Sequence, residues 1–166
     1  MLREAVLLGY QALGIPEAPL RMFKVEWELQ YSAETEASLD AAWNFWTNVA
    51  NWVDPPAQFE LHGPFEAGSN GLTRMPGQET RHWLIRDAKP PRSAVIEMPL
   101  DGAMLSFHWN FDPIAGGRTR LTQRVILTGE NARAYIEDLD AGFRPTLAAG
   151  MERIAAAMNA RRAGHV

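Results

Sequence analysis

The last third of the chain carries a long run of apolar residues at helical spacing, directly after two strand-like runs. The strand-like runs are Met104 to Asp112 and Arg118 to Thr128, and the helical pattern extends from Asn131 to about Arg161. One buried stripe with i, i+3, i+4, i+7 spacing is formed by Ala132, Tyr135, Ile136, Leu139, Phe143, Leu147, Met151, Ile154 and Met158. A helix of this length needs a broad apolar surface, which only a sheet built from the preceding chain can supply.

Alternating apolar and polar residues predict the strands of that sheet. The first strand is predicted at Arg21 to Tyr31, and a short helix follows at Ser38 to Asn48, with Ser38 as its N-cap. After a second short helical turn, about six further strands are separated by turn signals such as Asp101-Gly102. Hairpin-length connections imply antiparallel pairing, and strands followed by a helix indicate the α+β class.

Composition excludes several classes of function. The 166 residues are enough for one domain with a sizeable core, and the net charge of −4 gives no electrostatic argument for nucleic acid. The absence of cysteine excludes disulfides, thiol catalysis and thiolate metal sites. Metal-binding, nucleophilic-serine and phosphate-binding motifs are absent, and the four histidines are scattered. We therefore expect a cytoplasmic protein without a metal or a cofactor.

Three segments follow from these patterns: an N-terminal helical arm and linker at 1–20, one ligand-binding domain at 21–161, and a tail at 162–166. The arm is too short to span a bilayer, and we expect no integral association with a membrane. Its apolar residues form one helical face: Leu2, Val6, Tyr10 and Leu13. The simplest interpretation is a docking arm that packs on its own domain or on a neighbour.

A set of short features between about Phe23 and Met158 carries a family resemblance. They are the segment from Ala42 through Trp46, Asn51-Trp52, Pro55, the glycine turns at Gly68 and Gly71, and the closing strand from Gly117 to Gly129 with the helix after it. In this order the chain resembles the START-like or SRPBCC superfamily, which includes polyketide cyclases, lipid-transfer domains and birch-pollen-type allergens.

The resemblance implies the helix-grip fold. In this α+β fold, a curved antiparallel sheet of about seven strands wraps around a long C-terminal helix, and two short helices follow the first strand. The strands and the final helix of such proteins line an apolar cavity. The N-terminal arm departs from the minimal pattern, and it would cap a cavity or form the contact of a homodimer.

Strand alternation predicts which side chains face that cavity. On Gln78 to Ala88, Trp83 faces inward, and Arg81 and Asp87 share its parity. An arginine inside an apolar cavity would hold a carboxylate, a phenolate or an enolate. Alternatively, Arg81 lies in water at the end of the sheet or pairs with Glu79 or Glu97. The same alternatives, a position inside the cavity or in water, apply to Arg74. The predicted ligand-binding residues are Phe59, Leu72, Arg74, Arg81, Trp83, Ile96, Met98, Phe107, Trp109, Gln123, Tyr135, Leu139 and Phe143.

Three functions are compatible with this cavity. The leading hypothesis is the binding of a small hydrophobic or aromatic molecule, lipid-like or polyketide-like, with Arg81, Gln123 and Tyr135 orienting a polar group. The second is a cyclase or dehydratase, in which Arg81 stabilises an enolate and His82 or Tyr135 supplies protons. The third is a protein-interaction module, because some START-like domains resemble chaperone activators. Fold alone does not choose among them.

Pro145 interrupts the long helical pattern. It removes one backbone donor and crowds the carbonyl of Ala141, so we expect a kink or a break. Two interpretations remain open: the segment before Pro145 moves as a gate, or the bend is static and fits the helix to a curved sheet.

Overall fold

A computed structural model describes residues 24–163, with side chains to residue 160. The predicted arm at 1–20 lies outside the described residues, as do the last three residues of the tail. In chain order the strands and helices are β1 Val25–Thr35, α1 Leu39–Thr47, a 3-10 turn Val49–Asn51, β2 Gln58–His62, β3 Asn70–Arg74, β4 Arg81–Lys89, β5 Ser93–Leu100, β6 Ala103–Ile114, a 3-10 turn Ala115–Gly117, β7 Arg118–Thr128, a 3-10 turn Ala132–Tyr135, α2 Ile136–Phe143 and α3 Leu147–Ala163.

The seven strands form one antiparallel sheet in the order β1-β7-β6-β5-β4-β3-β2. Hairpins connect β2 through β7, whereas β1 pairs with β7 from the other end of the sequence. Because β1 and β2 lie at opposite edges, the chain between them must cross the sheet, and it does so through α1. The predicted α+β helix-grip architecture is confirmed. None of the helices in residues 24–163 is long and apolar enough to cross a membrane.

The helix α1 begins where its sequence predicts. The side-chain oxygen of Ser38 accepts a hydrogen bond from the backbone N–H of Ala41 at 3.3 Å, which satisfies one of the free donors of the first turn. The helix then buries Ala42, Trp43 and Trp46 against the sheet. The predicted N-cap and the predicted apolar face of this helix are therefore confirmed.

One half of the inner face of the sheet, on which the helices pack, holds an aromatic cluster. Its members are Trp43, Trp46, Trp52, Phe65, Trp109 and Phe111. Trp46 is the centre of this cluster, and its ring centroid lies 4.8 Å from that of Trp109 and 5.0 Å from that of Phe65. The apolar stripe of α3 closes this core through Leu147, Met151, Ala155 and Met158.

The predicted C-terminal helix is divided at Pro145. The helix α2 ends at Phe143, and α3 begins at Leu147. Across the break, the N–H of Thr146 donates to the carbonyl of Phe143 at 3.1 Å, and its hydroxyl donates to the carbonyl of Gly142 at 2.7 Å. The predicted break is confirmed, and the sharp division follows from the donor that proline lacks.

Candidate ligand-binding site

A second apolar cluster lies on the inner face, beneath α2. We call it the α2 cluster and define it as Trp27, Met98, Leu105, Phe107, Val125, Leu127, Leu139 and Phe143. The strand residues Leu105, Val125 and Leu127 are buried at its base, whereas the larger side chains above them are only half-buried. This half of the inner face is therefore less completely covered than the half that holds the aromatic cluster.

The two halves of the divided helix differ in how they attach to the sheet. No residue of α2 is buried, and its apolar side chains Leu139 and Phe143 are half-buried. In α3, Met151 and Met158 are almost completely buried. The α3 helix is also tied to β1 by hydrogen bonds, including that from the hydroxyl of Thr35 to Oδ1 of Asn159 at 2.8 Å. A helix with few buried contacts is expected to open at a lower free-energy cost than a well-buried one.

A hydrogen bond between side chains joins α2 to the edge strand. Nε1 of Trp27 donates to Oδ1 of Asp140 at 2.9 Å, and Nε of Arg144 donates to both oxygens of the same carboxylate at 3.0 Å. The hydrogen bonds from Arg144, which have the larger effect, and from Trp27 lower the pKa of Asp140 to about 2. The ring of Phe143 packs beside this contact, with its centroid 6.3 Å from Trp27 and 6.0 Å from Phe107.

The predicted polar residues are not brought together. The hydroxyl of Tyr135 donates to the carbonyl of Asp101 at 3.0 Å, which ties the 3-10 turn before α2 to the β5–β6 hairpin. Arg81 is the exposed first residue of β4, as expected for an arginine in water at the end of the sheet. Gln123 lies on β7 between Tyr31 and Trp109. Since two strands separate β4 from β7, Arg81 and Gln123 are at least about 14 Å apart.

Two predicted ligand-binding residues lie on the outer face of the sheet. Gly71 pairs with Trp83, and Leu72 pairs with His82, so Leu72 and Arg74 point away from the face that Trp83 occupies. Arg74 forms an ion pair with Glu60 at 2.7 Å on that outer face. Their assignment to the cavity is corrected accordingly.

A bulge in β4 corrects a further expectation. Ile85 pairs with Ile96 but Asp87 pairs with Val95, which leaves Arg86 as the extra residue. The bulge reverses the alternation, and Asp87 is turned away from the face of Trp83.

The remaining predicted residues divide between three places. Met98, Phe107, Leu139 and Phe143 belong to the α2 cluster, while Trp83, Ile96 and Trp109 are buried in the main core. Phe59 packs on Trp52 at the edge of the aromatic cluster, with ring centroids 5.6 Å apart, and lines an open groove of about 470 Å³ between the end of α1 and β2. Trp27 also belongs to the α2 cluster, whereas the sequence pattern predicted only that it lies in the core. Its position on the same face of β1 as Leu29 is the sequence signal that could have placed it there.

Because Asp140 joins α2 to Trp27 on β1, we expect a substitution of Asp140 to change hydrogen exchange in α2. Asp140→Asn removes the charge that Arg144 holds, and we expect amide hydrogen exchange in α2 to accelerate about two- to fivefold while α3 is unchanged. Asp138→Asn is the matched control, because Asp138 is exposed on the same helix and has no ion pair within residues 24–163. Equal acceleration in α2 and α3 would contradict separate attachment of the two helices.

The same carboxylate sets a pH dependence. Because the pKa of Asp140 is lowered in the folded protein, its contribution is present above the ordinary carboxyl range and is lost as the pH falls through about 2. Exchange in α2, corrected for its intrinsic pH dependence, should therefore show no transition from Asp140 between pH 8 and pH 5.

The sequence matches no protein-family model and no curated protein. Several solved structures are similar to the chain. Norcoclaurine synthase from Thalictrum flavum has a TM-score of 0.64 at 13% identity, with 82% of this chain and 96% of that chain covered. The di-domain ARO/CYC StfQ from the steffimycin biosynthetic pathway has a TM-score of 0.62 at 19% identity, with 82% of this chain and 52% of that chain covered.

A protein from Arthrobacter aurescens has a TM-score of 0.60 at 19% identity, with 79% of this chain and 85% of that chain covered. At such identities, structural similarity establishes a fold and leaves the activity open. Together with the strand order and the divided closing helix described above, these similarities show that the chain has the helix-grip fold.

Proposed function

We propose that the protein binds a small apolar molecule, aliphatic or aromatic, between the sheet and α2. The observation that carries the proposal is the α2 cluster, in which large apolar side chains are only partly buried beneath a helix that buries none of its own residues. Covering such side chains with an apolar ligand is favourable by about 25 cal/mol per Å² of surface removed from water. Displacement of α2 would admit the ligand, and α3 would hold the fold during that displacement.

The residues around this position favour an uncharged ligand. No carboxylate or cationic side chain belongs to the α2 cluster, and the polar groups of its member Trp27 and of the adjacent Tyr135 already have hydrogen-bond partners. An anion placed there would lose its hydration without gaining a partner, at a cost of several kcal/mol or more. The proposed ligand is therefore uncharged and differs from the anionic group that an arginine at position 81 would hold.

The enzymatic alternative stays a prediction. Two of the similar structures are named norcoclaurine synthase and ARO/CYC, and a reaction in the same cavity would require a proton donor near the substrate. Arg81 is exposed at the end of β4, and the Tyr135 hydroxyl is engaged by Asp101. The position of these groups therefore supports binding more directly than catalysis. The interaction-module alternative depends on Met1 to Leu13, which lies outside the described residues.

Fluorescence titration with N-phenyl-1-naphthylamine, a neutral apolar probe, tests the proposal. We expect Leu139→Trp to occupy the proposed ligand position with its larger side chain and to weaken probe binding by at least about tenfold, which corresponds to 1.4 kcal/mol. Phe59→Leu is the control, because Phe59 lies in the open groove near β2. Unchanged binding to Leu139→Trp together with lost binding to Phe59→Leu would place the site in the groove and contradict the proposal.

A second probe tests the expected absence of charge. Anilinonaphthalene sulfonate has the same ring system with an added anionic group, and we expect it to bind at least about tenfold more weakly than the neutral probe. Tighter binding of the sulfonate, reduced by Arg81→Ala, would instead support an anion site at Arg81.

A further inference from the structure

The inner face of β7 carries an amide side chain among apolar ones. Gln123 alternates along the strand with Leu121 and Val125, which are completely buried. On the neighbouring strands it pairs with Tyr31 of β1 and Trp109 of β6. The amide of Gln123 therefore lies on the face of the sheet that the helices cover.

The Gln123 amide has no hydrogen-bond partner among residues 24–160. Two hydroxyls on the same face are satisfied. That of Tyr31 donates to Oε1 of Glu152 at 3.0 Å, and that of Thr119 donates to the carbonyl of Ala37 at 2.9 Å. Gln123 is only partly buried, and its polar atoms are not sealed off from small molecules. The two donors and the acceptor of its amide are therefore available to a ligand.

Gln123 lies at the boundary between the two clusters of the inner face. Its partner on β6, Trp109, belongs to the aromatic cluster, whereas the next inner residue of β7, Val125, belongs to the α2 cluster. The closing helices divide in the same way, because Phe143 at the end of α2 packs in the α2 cluster and Leu147 at the start of α3 packs in the main core. The amide therefore adjoins the apolar position that α2 covers.

We propose that Gln123 determines ligand specificity and that the ligand is a neutral apolar molecule with one carbonyl or hydroxyl group. The inference rests on the proposed function, because the apolar body of the ligand would lie in the α2 cluster. Along β7, Gln123 is about 7 Å from Val125 at the base of that cluster. A polar group a few bonds from the apolar body can therefore reach the amide.

The chemistry of the amide selects a neutral partner. Its nitrogen donates to a ketone, and an alcohol can both accept from the nitrogen and donate to the oxygen. A carboxylate would lose its hydration without gaining a cation, and a wholly apolar ligand would leave the amide without a partner. Two other polar residues predicted to orient the ligand are placed elsewhere: Arg81 is exposed at the end of β4, and the hydroxyl of Tyr135 is engaged by Asp101.

Displacement of N-phenyl-1-naphthylamine by two matched compounds tests the inference. Acetylnaphthalene and ethylnaphthalene share a ring system and nearly the same size, but only the first carries a carbonyl group. We expect Gln123→Met to change the ratio of their dissociation constants against the ketone by about five- to tenfold. Because methionine has the length of glutamine but no N–H donor, the affinity for ethylnaphthalene should not fall.

Two further variants and one spectroscopic measurement complete the test. Gln30→Met is the matched control, because Gln30 is exposed on the outer face of the neighbouring strand β1, and it should leave both dissociation constants unchanged. Gln123→Glu keeps the shape of the side chain and removes the amide donors, so it should also weaken binding of the ketone. The carbonyl stretching frequency of bound acetylnaphthalene should be lower in the wild type than in Gln123→Met, because a hydrogen bond weakens the C=O bond.

The outcomes separate this inference from the proposed function. An unchanged ratio in Gln123→Met, with both compounds still weakened by Leu139→Trp, would overturn the role of Gln123 and leave the binding site beneath α2 in place. A change of the ratio that Gln30→Met produces equally would also overturn that role. If neither compound displaces the probe from the wild type, or if Leu139→Trp weakens neither, the proposed function fails and the inference fails with it.

Discussion

Trp46→Ala is expected to lower the free energy of unfolding by about 3–5 kcal/mol. Trp46 is 2% exposed, and its ring contacts those of Trp109, Phe65 and Phe111 at centroid distances of 4.8, 5.0 and 5.3 Å. Removing the indole leaves a cavity between α1 and the sheet. The neighbouring rings are too rigid to fill this cavity. The lost free energy therefore includes both the transfer of the indole from water to the core and its packing contacts.

Urea denaturation measures this effect as a lower midpoint at an unchanged slope. Val53→Ala is the control, because Val53 is 72% exposed, and we expect it to change stability by less than about 0.5 kcal/mol. Trp46→Phe keeps a ring in the cluster, so its free energy of unfolding should lie between those of the wild type and Trp46→Ala. This variant provides a measurement if Trp46→Ala does not fold. A loss below about 1 kcal/mol for Trp46→Ala would contradict the central position of this ring.

Gly71→Ala is expected to destabilise the protein by about 1–3 kcal/mol through a collision with Trp83. A Cβ atom on Gly71 would lie 2.1 Å from Cη2 and 2.2 Å from Cζ2 of the Trp83 ring. The ring has little freedom to move, because Nε1 of Trp83 donates to the hydroxyl of Thr73 at 3.2 Å and Trp52 packs beside it at 5.6 Å. The glycine is required for close packing rather than for its backbone conformation.

A double-mutant cycle separates this collision from other effects. Trp83→Phe provides space for the new methyl group, so the cycle should show a favourable coupling of about 1 kcal/mol or more between the two substitutions. Gly142→Ala is the control for the same chemical change: nothing lies within 4 Å of its Cβ position, and alanine should stabilise α2 by about 0.5–1 kcal/mol. Additive effects of Gly71→Ala and Trp83→Phe would exclude the collision as the cause.

Sequence patterns predicted the secondary structure well because each relevant signal is local. Alternation predicted β7 at the residues that form it, Ser38 predicted the start of α1, and Pro145 predicted the break between α2 and α3. Each of these features depends on backbone donors or on side-chain periodicity within a few residues of the chain. The topology followed because hairpin-length connections leave few arrangements of the strands.

The site was less predictable, because its residues are set by contacts between distant segments. The bulge at Arg86 reverses the face of Asp87, and no residue in β4 marks it. The hydroxyl of Tyr135 is engaged by a carbonyl 34 residues away in sequence. Leu72 lies on a strand of only five residues, too short for alternation to distinguish its two faces. Parity therefore predicted which apolar side chains pack on the inner face of the sheet, but not the surroundings of the polar residues.

The division at Pro145 also has a consequence for the proposed binding function. The aromatic cluster and α3 account for most of the buried core, whereas α2 contributes half-buried side chains. Substitutions at Leu139 or Phe143 should therefore cost little stability compared with substitutions at Trp46. Under the proposed function, variation in α2 would change the surroundings of the ligand while the remainder of the domain keeps its stability. The fold thus separates the residues around the proposed ligand from those that provide most of the stability.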